Sequence, residues 1–448
     1  MNAKNEAWRS IAEQASPEVV EALRRLSAQY DGRAIAEWAA RLYDPEIGGF
    51  YYSNSARDTE GYLPDLESTK QILSLIVSNG GYKNENEAIP DGIRQRIVEF
   101  VKGTQSDKDG YFYHPQWEQG RDRLPNDRWG RDLGWACALL RDLTPYGERQ
   151  YPRYCTPTGM KCRRHAEGGE CFPKRESGAK PSSASLPDYS SREAFSAWLW
   201  EYDKDIRNHS GRAHNLAALR NEIVAQGYGD VVLDFLDSNL RELFAEQTAA
   251  GEEPTGAWQT TYDYHLIWGV WKHVYFYNYE RCRRAFPLEI APYTVRACIK
   301  VLLQPIERPH AMNDLFNQWV SIHAVIANIR YHYGEAEAQR LHEIVREQAR
   351  ELVDMTIKKT EHFRNADGTV VYRSVGVGMT SIYGVPIAEG VREGDANGVS
   401  LWCSLYCGVF NCFGYPVPPI MDESDGARFV ELLGMAKPPI KKPKGEKL

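Results

Sequence analysis

The chain has 448 residues, of which 42% are hydrophobic and 26% are charged, as is typical of a folded globular protein. This composition excludes collagen-like, coiled-coil and intrinsically disordered chains. The 54 Lys and Arg residues and 61 Asp and Glu residues give a net charge of −7. That balance argues against a dedicated nucleic-acid-binding protein, because such a protein needs a basic face. Aromatic residues make up 12% of the chain, and an excess of Tyr and Trp often lines a wet binding surface.

The N-terminus and the cysteine content predict a cytoplasmic protein. Residues 1–6 lack the apolar run of a secretory signal. No stretch approaches the roughly 18 apolar residues of a membrane span, so we expect no membrane partner. The nine cysteines are an odd number, and several lie in apolar helical patterns. We therefore expect reduced thiols in the cytoplasm.

Apolar periodicity predicts a succession of helices with very few strands. A helix is expected to begin at Ser16-Pro17, with Ser as the N-cap and Pro at the first helical position. The others are predicted at residues 30–43, 68–79, 88–103, 131–142, 191–202, 212–227, 230–247, 262–281, 289–303, 313–333, 336–358 and 398–412. The strand-like segments 49–52 and 369–372 are short and predict turns or small hairpins between helices.

A weak internal repeat accompanies these helices. Four segments each follow a helix, make a Gly-based turn, present an aromatic residue and precede another helix: 44–51, 107–113, 253–258 and 366–372. A helical hairpin cannot bury both its faces alone, but about six hairpins closed into a ring would bury the inner helices. The loops would then gather at a mouth. The sequence predicts an all-α fold, an (α/α)6-type closed toroid with short β-turns at the mouth, and an open α-solenoid is the alternative.

One stretch of the chain resembles a known superfamily. Gly48-Gly49-Phe50, followed by Asp65-Leu66-Glu67-Ser68-Thr69 at a helix start, is similar to the repeats of α/α toroids. That superfamily holds terpenoid cyclases, protein prenyltransferases, glycoside hydrolases and polysaccharide lyases, so the resemblance implies a fold more than a reaction. It covers residues 30–415 as architecture. We expect one toroid domain over residues 1–435 with an irregular insertion near 145–187, then a basic disordered tail at 436–448.

Two polar segments precede predicted helices early in the chain. In the first, Asp65 and Glu67 are candidates for binding sugar hydroxyls, although acids also cap helix starts well. The second contributes Asp127, Trp129 and Arg131. An Arg fork pairs with carboxylates and a Trp face can stack on a sugar ring. The alternative is that the charges of the second segment pair with one another on the surface.

The dipeptide Asn208-His209 resembles the Asn-His motif of toroid polysaccharide lyases, which act on uronic-acid polymers. The resemblance implies that Asn208 neutralises the uronate carboxylate and that His209 removes the C5 proton. The alternative is a capping Asn beside a solvent-facing His.

The densest cluster lies between residues 258 and 273. Tyr264, Trp268 and Trp271 fall at steps of four and three and are expected to share one helix face. Aromatic stripes are common in cores, but burying unpaired charged neighbours would cost several kcal/mol. We therefore expect this helix to line a pocket, with candidate residues Trp258, Asp263, Tyr264, His265 and Trp271.

Glu393 and Asp395 are the strongest carboxylate candidates. They lie two residues apart among glycines, directly before the last predicted apolar helix. Glycosidases use one carboxylic acid to protonate the leaving oxygen and a second carboxylate as base or nucleophile. The alternative is a turn with a helix N-cap. Asp314 adds a polar group from another helix start.

These observations predict a carbohydrate-active enzyme that hydrolyses a glycosidic bond with a carboxylate pair, a carbohydrate substrate, no cofactor and no metal. The alternatives are a uronate lyase, an isoprenoid cyclase and a non-catalytic binding toroid. The Asp-x-Asp-Asp motif of terpenoid cyclases is absent, and a homo-oligomer is left open. The residues Cys155, Cys162, His165 and Cys171 would make a tetrahedral zinc set, but their basic neighbours also favour thiolates without a metal.

Overall fold

The computed structural model describes residues 3–84, 88–116, 128–144, 150–169, 187–208, 211–305, 311–374 and 391–443. Helices account for 61% of the structure, which confirms the all-α prediction. Between these helices the described residues form only isolated β-bridges. The helices are α1 Ala3–Gln14, α2 Pro17–Ser27, α3 Gly32–Arg41, α4 Asn54–Asp58, α5 Leu66–Ser78, α6 Asp91–Gly103, α7 Arg128–Asp142, α8 Arg163–Ala166, α9 Arg192–Tyr202, α10 Gly211–Ala225, α11 Gly229–Ala249, α12 Tyr264–Tyr277, α13 Ala291–Leu303, α14 Met312–Tyr333, α15 Glu335–Arg346, α16 Ala349–Thr360, α17 Ala396–Phe413 and α18 Glu423–Met435.

The predicted helix starts agree with local capping. At α2, Ser16 Oγ accepts a hydrogen bond from Val19 N at 3.4 Å, with Pro17 in the first turn. The helix predicted over 336–358 is wrong as one element, because the chain breaks between α15 and α16. Leu341 and Val345 before the break, and Leu352 after it, are all buried. The apolar period therefore continues across the break and hides it from the sequence.

The predicted glycine turns are confirmed. Gly48, Gly110, Gly256 and Gly368 all have positive φ, between 62° and 89°, a region that L side chains rarely adopt. In three of the turns the flanking residues form an antiparallel bridge: Tyr43 with Phe50, Gln105 with Phe112, and Arg364 with Val370. The internal repeat is thus a recurring structural unit that joins successive helices.

Six helices pack in series. Helix α5 packs on α7, α7 on α10, α10 on α12, α12 on α14 and α14 on α17, and α17 packs back on α5. We call these six the linked helices. Other helices also pack against them, as α13, α15 and α16 do on α14 and α11 does on α12. None of the helices in the described ranges combines the length and apolar character that a transmembrane span requires.

The C-terminal tail differs from the expected disordered end in residues 437–443. Lys442 N donates to Asp58 O, and Glu60 N donates to Lys442 O, both at 2.8 Å. Lys441 Nζ donates to Tyr62 O at 2.6 Å. Because these bonds satisfy backbone groups of the α4–α5 connection, the tail is docked at this point. Residues 444–448 lie outside the described chain.

Candidate functional site

A row of partly exposed aromatic residues runs along α12, although its other faces are covered. Tyr264, Trp268 and Trp271 form this row, which we call the aromatic row. The centroids of the Tyr264 and Trp268 rings lie 5.7 Å apart. Trp271 meets the edge of Phe316 on α14 at 5.5 Å. The predicted shared face is confirmed: the three rings are partly exposed, and Tyr264 packs against the buried core.

Neighbouring linked helices carry similar rows. On α14 the partly exposed residues recur every three or four positions, at Asn313, Phe316, Val320, His323 and Ala327. On α7, α17 and α10 they include Arg131, Trp135, Ala138, Leu401, Ser404, Cys407, Ala217 and Asn221. Each of these helices is packed on both sides by linked neighbours. We call these partly exposed faces, taken together, the channel face.

A buried charged network lies at the first turns of α5 and α7. Arg128 donates to Glu67 and, at 2.5 Å, to Asp132 Oδ1. Arg131 Nη2 donates to Glu67 Oε1 at 2.6 Å. The side chains of Glu67, Arg128 and Asp132 are at most 2% exposed, whereas that of Arg131 is 18% exposed. The predicted charges do pair with one another, but in the interior rather than on the surface.

The protonation states of this network follow from its pairing. Burial opposes ionisation of Glu67, but Arg131 and Arg128 outweigh it and lower the pKa of its carboxyl. Burial raises the pKa of Asp132 to about 7, against the attraction of Arg128. Glu67 is therefore ionised at neutral pH and is the carboxylate that the arginines hold in place.

Three of the predicted acids are helix caps. Asp65 accepts from Ser68 N at 2.8 Å, Asp395 from Gly398 N at 2.7 Å, and Asp263 from His265 N at 2.8 Å. Burial raises the pKa of Asp65 to about 6 and that of Asp395 to about 7. Asp395 also accepts from Tyr372 N at 2.6 Å. Each has at least one carboxylate oxygen engaged by a backbone donor, as in the capping alternative.

Glu393 faces a cavity that none of the residues of the channel face lines. It lines a cavity of about 690 Å³ near α3, α4 and the tail, which we call the rim cavity. Both of its carboxylate oxygens accept from Ser55 N at 3.1 Å, and burial raises the pKa of its carboxyl. Asp58 also lines the cavity and pairs with Arg57 at 2.6 Å.

Tyr264 and Asp314 meet where α12 and α14 begin. Asn317 Nδ2 donates to the Tyr264 hydroxyl at 2.7 Å. That hydroxyl is also hydrogen-bonded to Asp314, and burial, followed by the charge of Asp314, raises the pKa of Tyr264. Asp314 Oδ2 accepts from Ala311 N at 2.9 Å. Two candidates on different helices are thus in direct contact.

Three of the remaining candidates lie away from the channel face. Trp258 is fully buried, and its indole donates to Leu236 O at 2.8 Å; Trp129 is also buried. Asn208 is exposed in a turn after α9, where its N donates to Asp205 O. Asp127 and His209 lie outside the described residues, so the structure gives no position for the expected base.

Lys272 is a buried charged residue beside the aromatic row that is not among the predicted site residues. It is 8% exposed on α12, and its Nζ lies 3.4 Å from the centroid of the Trp271 ring. Burial, and then the charges of Arg131 and Arg220, lower the pKa of its amine well below the usual range, with Glu67 opposing. The signal that could have identified Lys272 in the sequence is its place within a helical run of aromatic residues.

The candidate zinc ligands are only partly described. Cys155 is disulfide-bonded, so the expectation of reduced thiols is wrong at this position and Cys155 offers no thiolate to a metal. Its Sγ lies 3.6 Å from Cys162 Sγ, whereas Cys171 is outside the described residues. Among the residues that the structure does describe, no group of three His, Cys, Asp or Glu could hold a metal ion.

Comparison of the chain with protein-family models, curated proteins and solved structures gives no match. Function is therefore argued from the geometry and charge of the channel face.

Proposed function

We propose that the linked helices are the inner ring of a closed (α/α)6 toroid, and that the protein hydrolyses a glycosidic bond in the channel this ring encloses. The packing of α17 on α5 supports the ring, because each of the six linked helices then packs on two others of the six. The observation that carries the enzymatic proposal is the partly exposed aromatic row of α12. Lys272, next to this row on the same helix, interacts electrostatically with Arg131 and Glu67.

The lining suits a sugar for two reasons. The flat faces of Trp268 and Trp271 offer apolar surface to the C–H face of a pyranose ring. Charged hydrogen-bonding groups such as Glu67 and Arg131 bind hydroxyls in a fixed direction.

Glu67 and Asp314 are the carboxylate pair that we assign to the reaction, and they lie on different helices. Glu67 is kept ionised by two arginines, which suits the base or nucleophile of a glycosidase. Asp314 supplies the second carboxylate from the start of α14, beside Tyr264. This assignment moves the catalytic pair from Glu393 and Asp395, because Asp395 caps α17 and Glu393 lines the rim cavity.

The test is release of reducing ends from a panel of oligosaccharides and aryl glycosides. Glu67→Gln keeps the shape of the side chain and is expected to lower kcat by about 10²–10⁴-fold. Trp271→Ala is expected to weaken substrate binding. Trp200→Ala is the matched control, because Trp200 is 54% exposed on α9 and contacts Phe235, away from the linked helices.

Three results would contradict the proposal. The first is no cleavage across the panel. The second is a product with the ultraviolet absorbance of an unsaturated uronate, which would indicate β-elimination instead. The third is full activity of the folded Glu67→Gln protein, verified by circular dichroism.

A further inference from the structure

The rim cavity has no part in the proposed hydrolysis, yet it has the size of a ligand site. Its volume of about 690 Å³ falls within the range of about 300–1,000 Å³ that is usual for pockets that bind small molecules. Its apolar lining includes Val391, Leu432, Met435 and Ile440. Met435 is 54% exposed and Ile440 is 91% exposed, although both are large apolar side chains. A ligand with an apolar body would cover this surface, which is favourable.

The part of the cavity near Asn54 lacks hydrogen-bond donors and positive charge. Asn54 lines the cavity, and its Oδ1 is buried without a hydrogen-bond partner among the described residues. Glu393 accepts from Ser55 N and from the hydroxyls of Ser53 and Ser55. No Lys, Arg or His of the described chain pairs with the Glu393 carboxylate. Because a buried acceptor left without a donor costs about 1–3 kcal/mol, this end favours a cationic N–H group.

The part of the cavity near Asp58 has the opposite character. Lys442 N donates to Asp58 O, and Arg57 Nη1 donates to Arg41 O at 2.8 Å, so Lys442 and Arg41 both lie at this end. Arg57 is already paired with Asp58 at 2.6 Å. The side chains of Arg41, Lys437 and Lys442 line the cavity and form no ion pair with any described residue. This end therefore favours an anion.

The two ends are close enough for one small molecule to contact both. Asn54 and Asp58 are the first and last residues of α4, so their Cα atoms are about 6 Å apart along the helix axis. Tyr43 also lines the cavity, and its buried hydroxyl has no hydrogen-bond partner within the described structure. Burial raises the pKa of this hydroxyl to about 12, so it keeps a proton to donate.

We propose that the rim cavity binds a free α-amino acid with an apolar side chain. The ammonium group of the ligand donates to Asn54 Oδ1 and to the Glu393 carboxylate. Its carboxylate pairs with Arg41, whose guanidinium fork suits a carboxylate. Its side chain covers Leu432 and Met435.

Other small ligands match the cavity less well. A simple amine would leave the basic end without an anion, and a simple carboxylate would leave Asn54 Oδ1 without a donor. A neutral sugar carries neither charge. Binding of an amino acid here goes beyond the proposed hydrolysis and does not require it.

The test is isothermal titration calorimetry of the full-length protein with L-leucine and two analogues. L-Leucinamide lacks the carboxylate, and 4-methylpentanoate lacks the amino group. We expect saturable binding of L-leucine with a Kd of about 1 mM or tighter. Each analogue should bind at least about tenfold more weakly, because each loses one charged hydrogen-bonding group.

Two substitutions assign the ends of the ligand to the protein. Arg41→Gln should weaken L-leucine about tenfold and leave L-leucinamide unchanged, whereas Glu393→Gln should weaken both and leave 4-methylpentanoate unchanged. Glu431→Gln is the control, because Glu431 lies on α18 and pairs with Arg428 but does not line the cavity. Since Arg41 is exposed, Arg41→Gln decides the matter even if Glu393→Gln fails to fold.

The proposal is overturned if L-leucine shows no saturable binding, which would mean that the cavity holds water alone. Equal affinity for the three ligands, or unchanged affinity of Arg41→Gln for L-leucine, would overturn it as well. None of these titrations involves a glycosidic bond. A protein that binds L-leucine but cleaves no sugar would therefore refute the hydrolase alone, and the reverse result would refute the amino-acid site alone.

Discussion

Arg128→Met is expected to be among the most destabilising single substitutions in the protein. Arg128 is 1% exposed and bonds both Glu67 and Asp132, which are equally buried. Removing one partner from a buried ion pair leaves an uncompensated charge and costs about 3–5 kcal/mol. Arg131 remains to pair with Glu67, so the unpaired charge falls on Asp132. Methionine preserves most of the volume, which keeps a cavity from accounting for the loss.

Equilibrium urea unfolding at pH 8 measures this cost as a shift of the midpoint at constant slope. Arg192→Met is the control, because Arg192 pairs with Asp230 at 2.6 Å but both side chains are more than half exposed. Exposed pairs contribute about 0–1 kcal/mol. Adding Asp132→Asn to Arg128→Met should restore part of the loss. Equal effects of the two arginine substitutions, or no rescue by Asp132→Asn, would refute the buried network as described.

Two further predictions concern the rest of the fold. Burial raises the pKa of Asp203 to about 7, above the pKa of Asp in the unfolded chain. The folded protein therefore binds this proton more tightly, and its stability falls as the pH rises from about 4 to 7. Asp203→Asn should flatten this fall by up to about 1.4 kcal/mol per unit of pKa difference, measured by urea unfolding across that range; an unchanged slope would contradict it. Gly110→Ala should destabilise the protein more than Gly368→Ala does, by at least about 1 kcal/mol. Both glycines have positive φ, but a Cβ at position 110 would lie 2.4 Å from Cys155 O, whereas a Cβ at position 368 would meet open space. Equal thermal shifts for the two glycine variants would show that the close contact has no effect.

The helices and turns could be predicted because their signals are local. Ser16 predicts the start of α2 because its side chain caps the helix. Gly110 predicts a turn because few other residues accept its backbone conformation. The break between α15 and α16 leaves no such signal, because apolar residues stay in register across it. The docked tail depends on backbone bonds to Asp58 and Glu60, which no sequence pattern reveals.

The site was harder to predict because its members meet only through tertiary packing. Glu393 and Asp395 are two residues apart in the chain, yet one faces the rim cavity and the other caps α17. Trp258 and Trp271 belong to one aromatic cluster in the sequence, but the first is in the core and the second is partly exposed. The residue types are enough to propose these four residues as candidates. Only the packing of the helices shows which of them cap a helix, which lie in the core and which are partly exposed.

Arg131 links the buried network of α5 and α7 to the aromatic row of α12. Burial lowers the pKa of the Lys272 amine and the charge of Arg131 lowers it further, while the same charge lowers the pKa of the Glu67 carboxyl against the effect of burial. A cation disfavours the protonated form of either group. One partly exposed arginine therefore acts on a carboxyl group of α5 and on an amine of α12, two helices that are far apart in the sequence.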